Sequence, residues 1–338
     1  MKRVVMRDVA EAAGVSITTV SHVVNGTRGV SEELKAKVIK AADELGYRPN
    51  VLARGLRKGQ TKTLGLIIPD SSNAFFAEVA RGLERKSYTL GFSVMLCNTG
   101  GEPSREVAYI ETLMSKQVDG VALVSAGDNS KTMSLLRALR IPLVVVDRQV
   151  SGEEMDEVLV DNLQGGRLAT EYLLSLGHSR IGCVCGPSIL TPAVDRVNGY
   201  RQSLVAAGIE PDDTLVVKGD FQCGGGYRGT QSLLSLPEPP SAVFACNDLM
   251  AIGAISAARA AGLQVPQDFS IVGFDDIALS SFINPALTTV AQPKEDIGTV
   301  VADLLVQRIL NRDIPPRKYV LPTELVVRRS CAQRRRAS

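Results

Sequence analysis

From Leu64 onward the chain repeats one pattern: a short apolar run, a polar break, then a stretch with helical spacing. The runs fall at 64–68, 94–97, 120–124, 143–146, 181–185, 215–217, 242–246 and 270–274. Helical stretches at 73–90, 104–117, 163–176, 195–208, 226–236 and 249–261 lie between them. Strands separated by helix-length segments cannot pair as tight hairpins; they join by crossovers, which gives parallel sheets covered by helices on both faces. The series occurs twice, over about 63–161 and 162–291, and so predicts two similar α/β lobes. Residues 292–328 add a helix at 297–310 and a late strand near 324–327.

With 338 residues, 45% of them hydrophobic, the chain has material for two or three domains with full cores. No apolar run approaches the 18 or so residues of a membrane span, and the first residues have no long apolar stretch of the secretory kind. The six cysteines are scattered and mostly sit in apolar runs, as expected of buried free thiols in a reducing compartment, so a cytoplasmic location is expected. The net charge of +2 hides an asymmetry: residues 1–62 carry +6 and the remainder −4. A basic head on a mildly acidic body points to a nucleic-acid contact at one end.

The head reads as a helix-turn-helix. Val9, Ala10 and Ala13 form one helical stripe, and Gly14 suits the left-handed position that ends a helix. Ser16 can cap a second helix that buries Val20, Val23 and Val24 and ends at Asn25. A third helix is expected from Ser31 to about Leu45, with Val30, Leu34, Val38, Ala41, Ala42 and Leu45 inward and Gly46 as its stop. In such a unit the second helix enters the major groove. Ile17, Thr18 and His22 are then placed for base edges, Ile17 by apolar contact alone. Ser16, Thr19, Ser21, Asn25 and Arg28 are placed for phosphates. Tyr47, Arg54 and Arg57 are further candidate DNA contacts, and Leu56, on a short basic helix-competent stretch, can wedge between base steps in the minor groove.

Together, Asp8-Val9-Ala10, Ala13-Gly14-Val15-Ser16, Thr19-Val20-Ser21, Val24-Asn25 and Gly46-Tyr47-Arg48-Pro49-Asn50 resemble the DNA-binding headpiece of the lactose-repressor/galactose-repressor family. That resemblance implies a hinge helix near 50–58 that forms on operator DNA and a leucine, here Leu56, that opens the central base step. Gly55 stands where many members carry a more helix-tolerant residue, which implies a looser hinge, since glycine costs about 1 kcal/mol against alanine in a helix.

Open parallel sheets bind ligands beyond the carboxyl ends of their strands. In the body those ends carry Asp147-Arg148, Phe221, Asn247, Phe274-Asp275 and Gln292. The first run leads to Asn73, Phe75 and Phe76, and the helix after the fifth carries Arg196. Carboxylates, amides and arginines that bond hydroxyls, with aromatic faces to cover C–H surfaces, suit a sugar. The competing reading makes each post-strand Asp a helix cap, and Asp248 is read that way. The layout resembles the type I periplasmic sugar-binding fold with three crossings between lobes. Asn73-x-Phe75-Phe76, Asp147-Arg148-Gln149, Arg196-x-x-Gly199-Tyr200, Asn247-Asp248, Gly273-Phe274-Asp275 and Gln292 are similar to the pocket of ribose-binding proteins on this fold. Purine-binding members carry an additional arginine where this chain has Leu190, so a purine loses a donor here and ribose is the expected effector.

The resulting organisation is a helix-turn-helix headpiece at 1–49, a hinge and linker at 50–62, and an effector-binding and dimerisation domain at 63–330. Lobe 1 is expected at about 63–161 plus 293–322, lobe 2 at about 162–292 plus 323–330, and 331–338 form a basic tail. The expected partners are pseudo-palindromic double-stranded operator DNA, a small sugar and a second copy of the chain, with no membrane. A purine- or other-sugar-responsive regulator, a transport-type sugar-binding protein and a sugar-processing enzyme are the rival readings. No cofactor, metal or catalytic function is expected. Gly224–Gly229 satisfies G-x-G-x-x-G but lies away from a strand end and reads as a flexible helix entry. Cys183 and Cys185 are too close for the usual zinc spacing, His178 reads as a helix-end residue, and the tail lacks tetramerising heptads. If Leu56 is the wedge, Leu56→Ala will weaken specific operator binding by about tenfold or more while largely sparing random-sequence DNA, as read by anisotropy titrations on both.

Overall fold

The computed structural model describes residues 4–25, 29–48, 60–124, 130–147 and 155–334. The chain forms two compact units, residues 1–62 and 63–338. Arg28, Arg54, Leu56, Arg57 and Arg148 lie outside the described residues.

In the first unit α1 (Met6–Ala13), α2 (Ile17–Asn25) and α3 (Glu32–Glu44) pack around Val9, Ala10, Val20, Val38 and Ala41. Local chemistry sets each end. Gly14 takes φ +65° and lets the Val15 N–H reach the Ala10 carbonyl. The Ser16 hydroxyl accepts from the Thr19 N–H at 3.0 Å, and the Ser31 hydroxyl from the Leu34 N–H at 3.4 Å. Gly46, at φ +62°, closes α3. Leu34 and Leu45, expected inside, are instead exposed by 37% and 38%. A unit this small covers only a narrow stripe of α3, and both leucines fall beside it.

The second unit holds two six-stranded sheets. The first is built from β1 (Thr63–Ile68), β2 (Ser93–Asn98), β3 (Gly120–Leu123), β4 (Leu143–Val146), β5 (Asp156–Val160) and β11 (Lys318–Leu321), in the order β11-β5-β4-β3-β1-β2 and wholly parallel. The second is built from β6 (Ile181–Cys185), β7 (Val216–Lys218), β8 (Ala242–Ala245), β9 (Ser270–Asp275), β10 (Thr288–Ala291) and β12 (Glu324–Val326), in the order β12-β10-β9-β8-β6-β7. Only β12 runs antiparallel, against β10. The chain passes between the sheets three times: after β5, after β10 and after β11. Each sheet has its own apolar core, and β1 and β9 are buried along nearly their whole length, as strands covered on both faces must be.

The flanking helices are α4 (Ala74–Thr89), α5 (Pro103–Ser115), α6 (Ser130–Leu139), α7 (Asn162–Ser175), α8 (Thr191–Ala206), α9 (Cys223–Leu234), α10 (Asp248–Ala260) and α11 (Lys294–Leu310). α9 runs straight through Gly224–Gly229, which the sequence reading took for a flexible entry. The glycines serve packing instead. A Cβ on Gly226 would collide with the Met250 carbonyl, and one on Gly253 with the Cys223 carbonyl, so α9 and α10 meet backbone to backbone. α7 and α8 use Gly166 and Gly199 in the same reciprocal way, and α4 and α11 use Gly82 and Gly298. β5 escapes the apolar pattern because it opens with Asp156 and Glu157, both buried. Asp156 accepts from Arg308 at 2.6 Å and from the Arg317 N–H at 2.9 Å, which ties β5 to α11 and to the start of β11. Gly298→Val, which must displace the Val79 carbonyl, is expected to cost about 1–3 kcal/mol or more of stability, measured by urea denaturation.

Candidate functional sites: the head surface and the cleft

Ser16, Ile17 and Thr18 stand exposed at the start of α2, with Ile17 49% accessible although it is apolar. An isolated apolar side chain at a helix start, flanked by hydroxyls, can meet thymine methyl groups. Thr19 is half-buried and shares a hydrogen bond of 2.9 Å with Ser16. His22 is half-buried one turn on. Ser21 turns inward and is buried, and the Asn25 amide donates to its carbonyl at 2.7 Å and its hydroxyl at 3.2 Å. These two therefore brace the end of α2 from within. Tyr47 packs against the head core, and its N–H donates to the Ala42 carbonyl at 2.8 Å.

In the body a cavity of about 490 Å³ opens between the carboxyl ends of the two sheets. Asn73, Phe75, Phe76, Asp147, Arg196, Phe221, Asn247 and Asp275, all singled out from sequence, line it together. The Asn73 side-chain oxygen caps α4 by accepting from the Phe75 N–H at 3.0 Å. Phe75 and Phe76 meet edge to face, their centroids 5.1 Å apart, and present an aromatic wall from lobe 1.

Arg196 organises the opposite wall. It is 4% exposed, donates to the Asn162 side-chain oxygen at 2.8 Å and the Cys246 carbonyl at 2.6 Å, and lies 3.7 Å from Asp275. Its guanidinium sits 3.7 Å over the Phe274 ring and 6.0 Å from the Phe221 ring. A ring stacked on a guanidinium face leaves its edge for in-plane hydrogen bonds. Asp275 accepts from the Gln292 amide at 2.6 Å. Burial pushes its carboxyl up to about 7, against the pull of Arg196. Asn247 caps α10 by accepting from the Met250 N–H and donates to the Phe221 carbonyl, so its amide fixes the wall as well as lining it.

Two expected residues stand behind the wall. Phe274 is fully buried and forms the floor under Arg196, and Gln292, 3% exposed, orients Asp275. Strand alternation explains Phe274: its neighbour Asp275 faces the cleft, so Phe274 faces the core. Asp248 is not the cap of α10, a role taken by Asn247. It is buried, pushed up to about 6 by desolvation, and accepts from the Ile277 N–H, Ser280 and Thr289. His178, too, is more than a helix end: it is buried, with its pKa lowered by burial, and it joins Ser241, Ser270 and the Ala332 carbonyl.

The cavity also takes in Asp70 and Asp220, which stand at strand ends in the sequence, and Leu190, the position that carries an arginine in purine-binding members, along with Gly100, Gly101, Ile189 and Gln222. Asp70 and Asp220 were findable, since each follows a strand; nothing in the sequence marked Gln222. Backbone strain gathers here too. Asp147, Phe221 and Asp275 adopt φ of +60°, +61° and +111°, a region that side chains other than glycine rarely occupy. Among the described residues no helix is long and apolar enough to cross a membrane, and no group of three or more His, Cys, Asp or Glu is placed to hold a metal ion.

Residues 5–50 match the family model described as bacterial regulatory proteins, lacI family, and residues 170–331 match the periplasmic binding protein-like domain. The chain is 43% identical over 326 residues to the ribose operon repressor of Escherichia coli K12, covering 96% of this chain and 99% of the relative. It is 38% identical over 324 residues to the HTH-type transcriptional repressor PurR of Vibrio atlanticus, covering 96% and 97%. Among solved structures it is similar to the lac repressor dimer bound to operator and the anti-inducer ONPF, with a TM-score of 0.88 and 30% identity, covering 98% and 100%.

Because burial makes the folded Asp275 carboxyl hold its proton up to about pH 7, well above the ordinary aspartate range, ionising it opposes folding. Relative to Asp275→Asn, the native protein should lose stability as pH rises from about 4 to about 7 and change no further above that. Urea denaturation of both proteins at several pH values in that range reads the slope.

Proposed function

Because this chain belongs to the lacI family of bacterial regulatory proteins, and is a transcriptional repressor rather than an enzyme, we propose that a small sugar, ribose, controls its hold on operator DNA. The observation that carries the reading is the clamped arginine. Arg196 and Asp275 offer a fixed donor edge and an acceptor across one face of the cavity, and Phe75, Phe76 and Phe221 supply the apolar walls. A furanose has hydroxyls on its edges and C–H groups on its faces, and this arrangement meets both. The name of the relative at 43% identity supports ribose over the purine reading, as does Leu190 at the position where the purine-binding pattern has an arginine.

The head acts as a two-fold pair. Two copies of α2 lie in successive major grooves of a pseudo-palindromic site, with Ile17, Thr18 and His22 at the bases. Ser16, Thr19 and Arg28 serve the backbone, and Tyr47, Arg54, Leu56 and Arg57 carry the contact toward the centre of the site. Sugar binds best to the conformation in which lobe 1 and lobe 2 close on it, and that conformation holds DNA less well. The coupling is reciprocal: whatever factor sugar takes from operator affinity, operator takes from sugar affinity.

Ribose should weaken operator binding at least tenfold in an anisotropy titration, and Arg196→Ala should retain operator binding while losing that response. Tightening by ribose would make it a corepressor. A normal response in Arg196→Ala would remove the arginine from the site.

A further inference from the structure

Asp70 follows β1 in lobe 1, and Gln222 precedes α9 in lobe 2; both line the cavity and both reach solvent. One Asp70 oxygen accepts from the Ser72 N–H at 2.9 Å and its hydroxyl at 2.7 Å, which fixes the carboxylate in a tight turn. The other accepts from the Gln222 side-chain amide at 3.0 Å, across the cleft. The Gln222 N–H in turn donates to Asp220 at 2.9 Å. A negative charge is thus held at the entrance from both sides.

Charge at the entrance is poorly balanced. Four aspartates, Asp70, Asp147, Asp220 and Asp275, line the cavity, and Arg196 is the one cation lining it among the described residues. Asp220 pairs with Arg228 at 3.0 Å and Asp275 faces Arg196 at 3.7 Å. Asp70 has neutral partners: Ser72, Asn73 and Gln222. Burial pulls its carboxyl up, but those donors outweigh burial and hold it below the usual range, so it is ionised at neutral pH. Even with Arg148 counted at the site and Arg228 counted beside Asp220, carboxylates outnumber guanidiniums four to three.

We propose that Asp70 is the specificity-determining charge of the cleft, which admits uncharged sugars and turns away their phosphorylated forms. This rests on the reading of the cleft as a sugar site. A phosphate dianion on a bound monosaccharide has to lie toward the entrance, because the inner wall is closed by Arg196, Phe221 and Asp275 with their hydrogen-bonded partners. There it meets a fixed carboxylate within the range over which unscreened charges repel.

Calorimetry with ribose and ribose 5-phosphate at pH 8 tests this. The native protein should bind the phosphate at least about tenfold more weakly, and raising the salt from about 0.05 to about 0.5 M should shrink that gap. Asp70→Asn keeps an acceptor for Ser72 and removes the charge; its new amide N–H faces Gln222, whose side-chain amide must turn its oxygen inward to keep the contact across the cleft. The substitution should narrow the gap, taken as the ratio of the two affinities in the same variant, about threefold or more. Equal or tighter binding of the phosphate by the native protein overturns the proposal, as does a gap that neither salt nor Asp70→Asn changes. Should the native protein bind another uncharged sugar or a purine instead of ribose, the ribose reading fails. The same comparison between that ligand and its phosphate then decides the role of Asp70. If no uncharged ligand binds, both readings fall.

Discussion

A guanidinium taken out of water has to recover its hydration from fixed groups, and Arg196 shows what that demands of the surrounding fold. Its polar partners come from three different places in lobe 2: hydrogen bonds to Asn162 at the start of α7 and to the Cys246 carbonyl after β8, and an ion pair with Asp275 at the end of β9. Phe274 supplies a ring beneath it. The Arg196 carbonyl, meanwhile, rests where Gly166 has no side chain, and the Phe274 ring occupies space that a Cβ on Gly165 would fill. One side chain thus fixes the relative heights of two helices and two strands. Loss of any of these partners leaves a buried charge short of a contact, so the wall of the cleft is held as one piece.

The same logic recurs in lobe 1 with the signs exchanged. Asp156 is a buried acid between two arginines, and it joins β5 to α11 and to the segment entering β11. In each lobe a buried charge fastens elements that are distant in sequence. The apolar cores supply bulk stabilisation, whereas these charges fix which elements meet.

Much of this was legible in the chain. Alternating apolar runs and helical stretches identified parallel strands because a buried strand and an amphipathic helix have different periods. The head was readable at residue level because caps are local: Ser16, Ser31, Gly14 and Gly46 act on backbone groups within four residues. The cleft residues were readable because the ends of parallel strands converge. What escaped was decided at long range. β5 begins with two acids that distant cations make tolerable, Arg308 and Arg317 for Asp156 and Lys318 for Glu157. The glycines of α9 look like a helix breaker until α10 is placed against them. Phe274 and Gln292 were expected in the cleft, but one faces the core and the other an aspartate, so both stand behind the lining. Gln222 gains its meaning only from Asp70, which lies on the other lobe.

The three passages of the chain between the sheets limit how the lobes can move. A single tether would let them swivel freely, and two would leave a rocking freedom. Three side by side behave like pins through one door edge: they resist sliding and twisting and yield most easily to swinging about one axis. Small-molecule occupancy is then expressed along a single coordinate, the opening angle. A body with one soft coordinate can carry a chemical signal over its full length without a chain of intermediate contacts having to relay it.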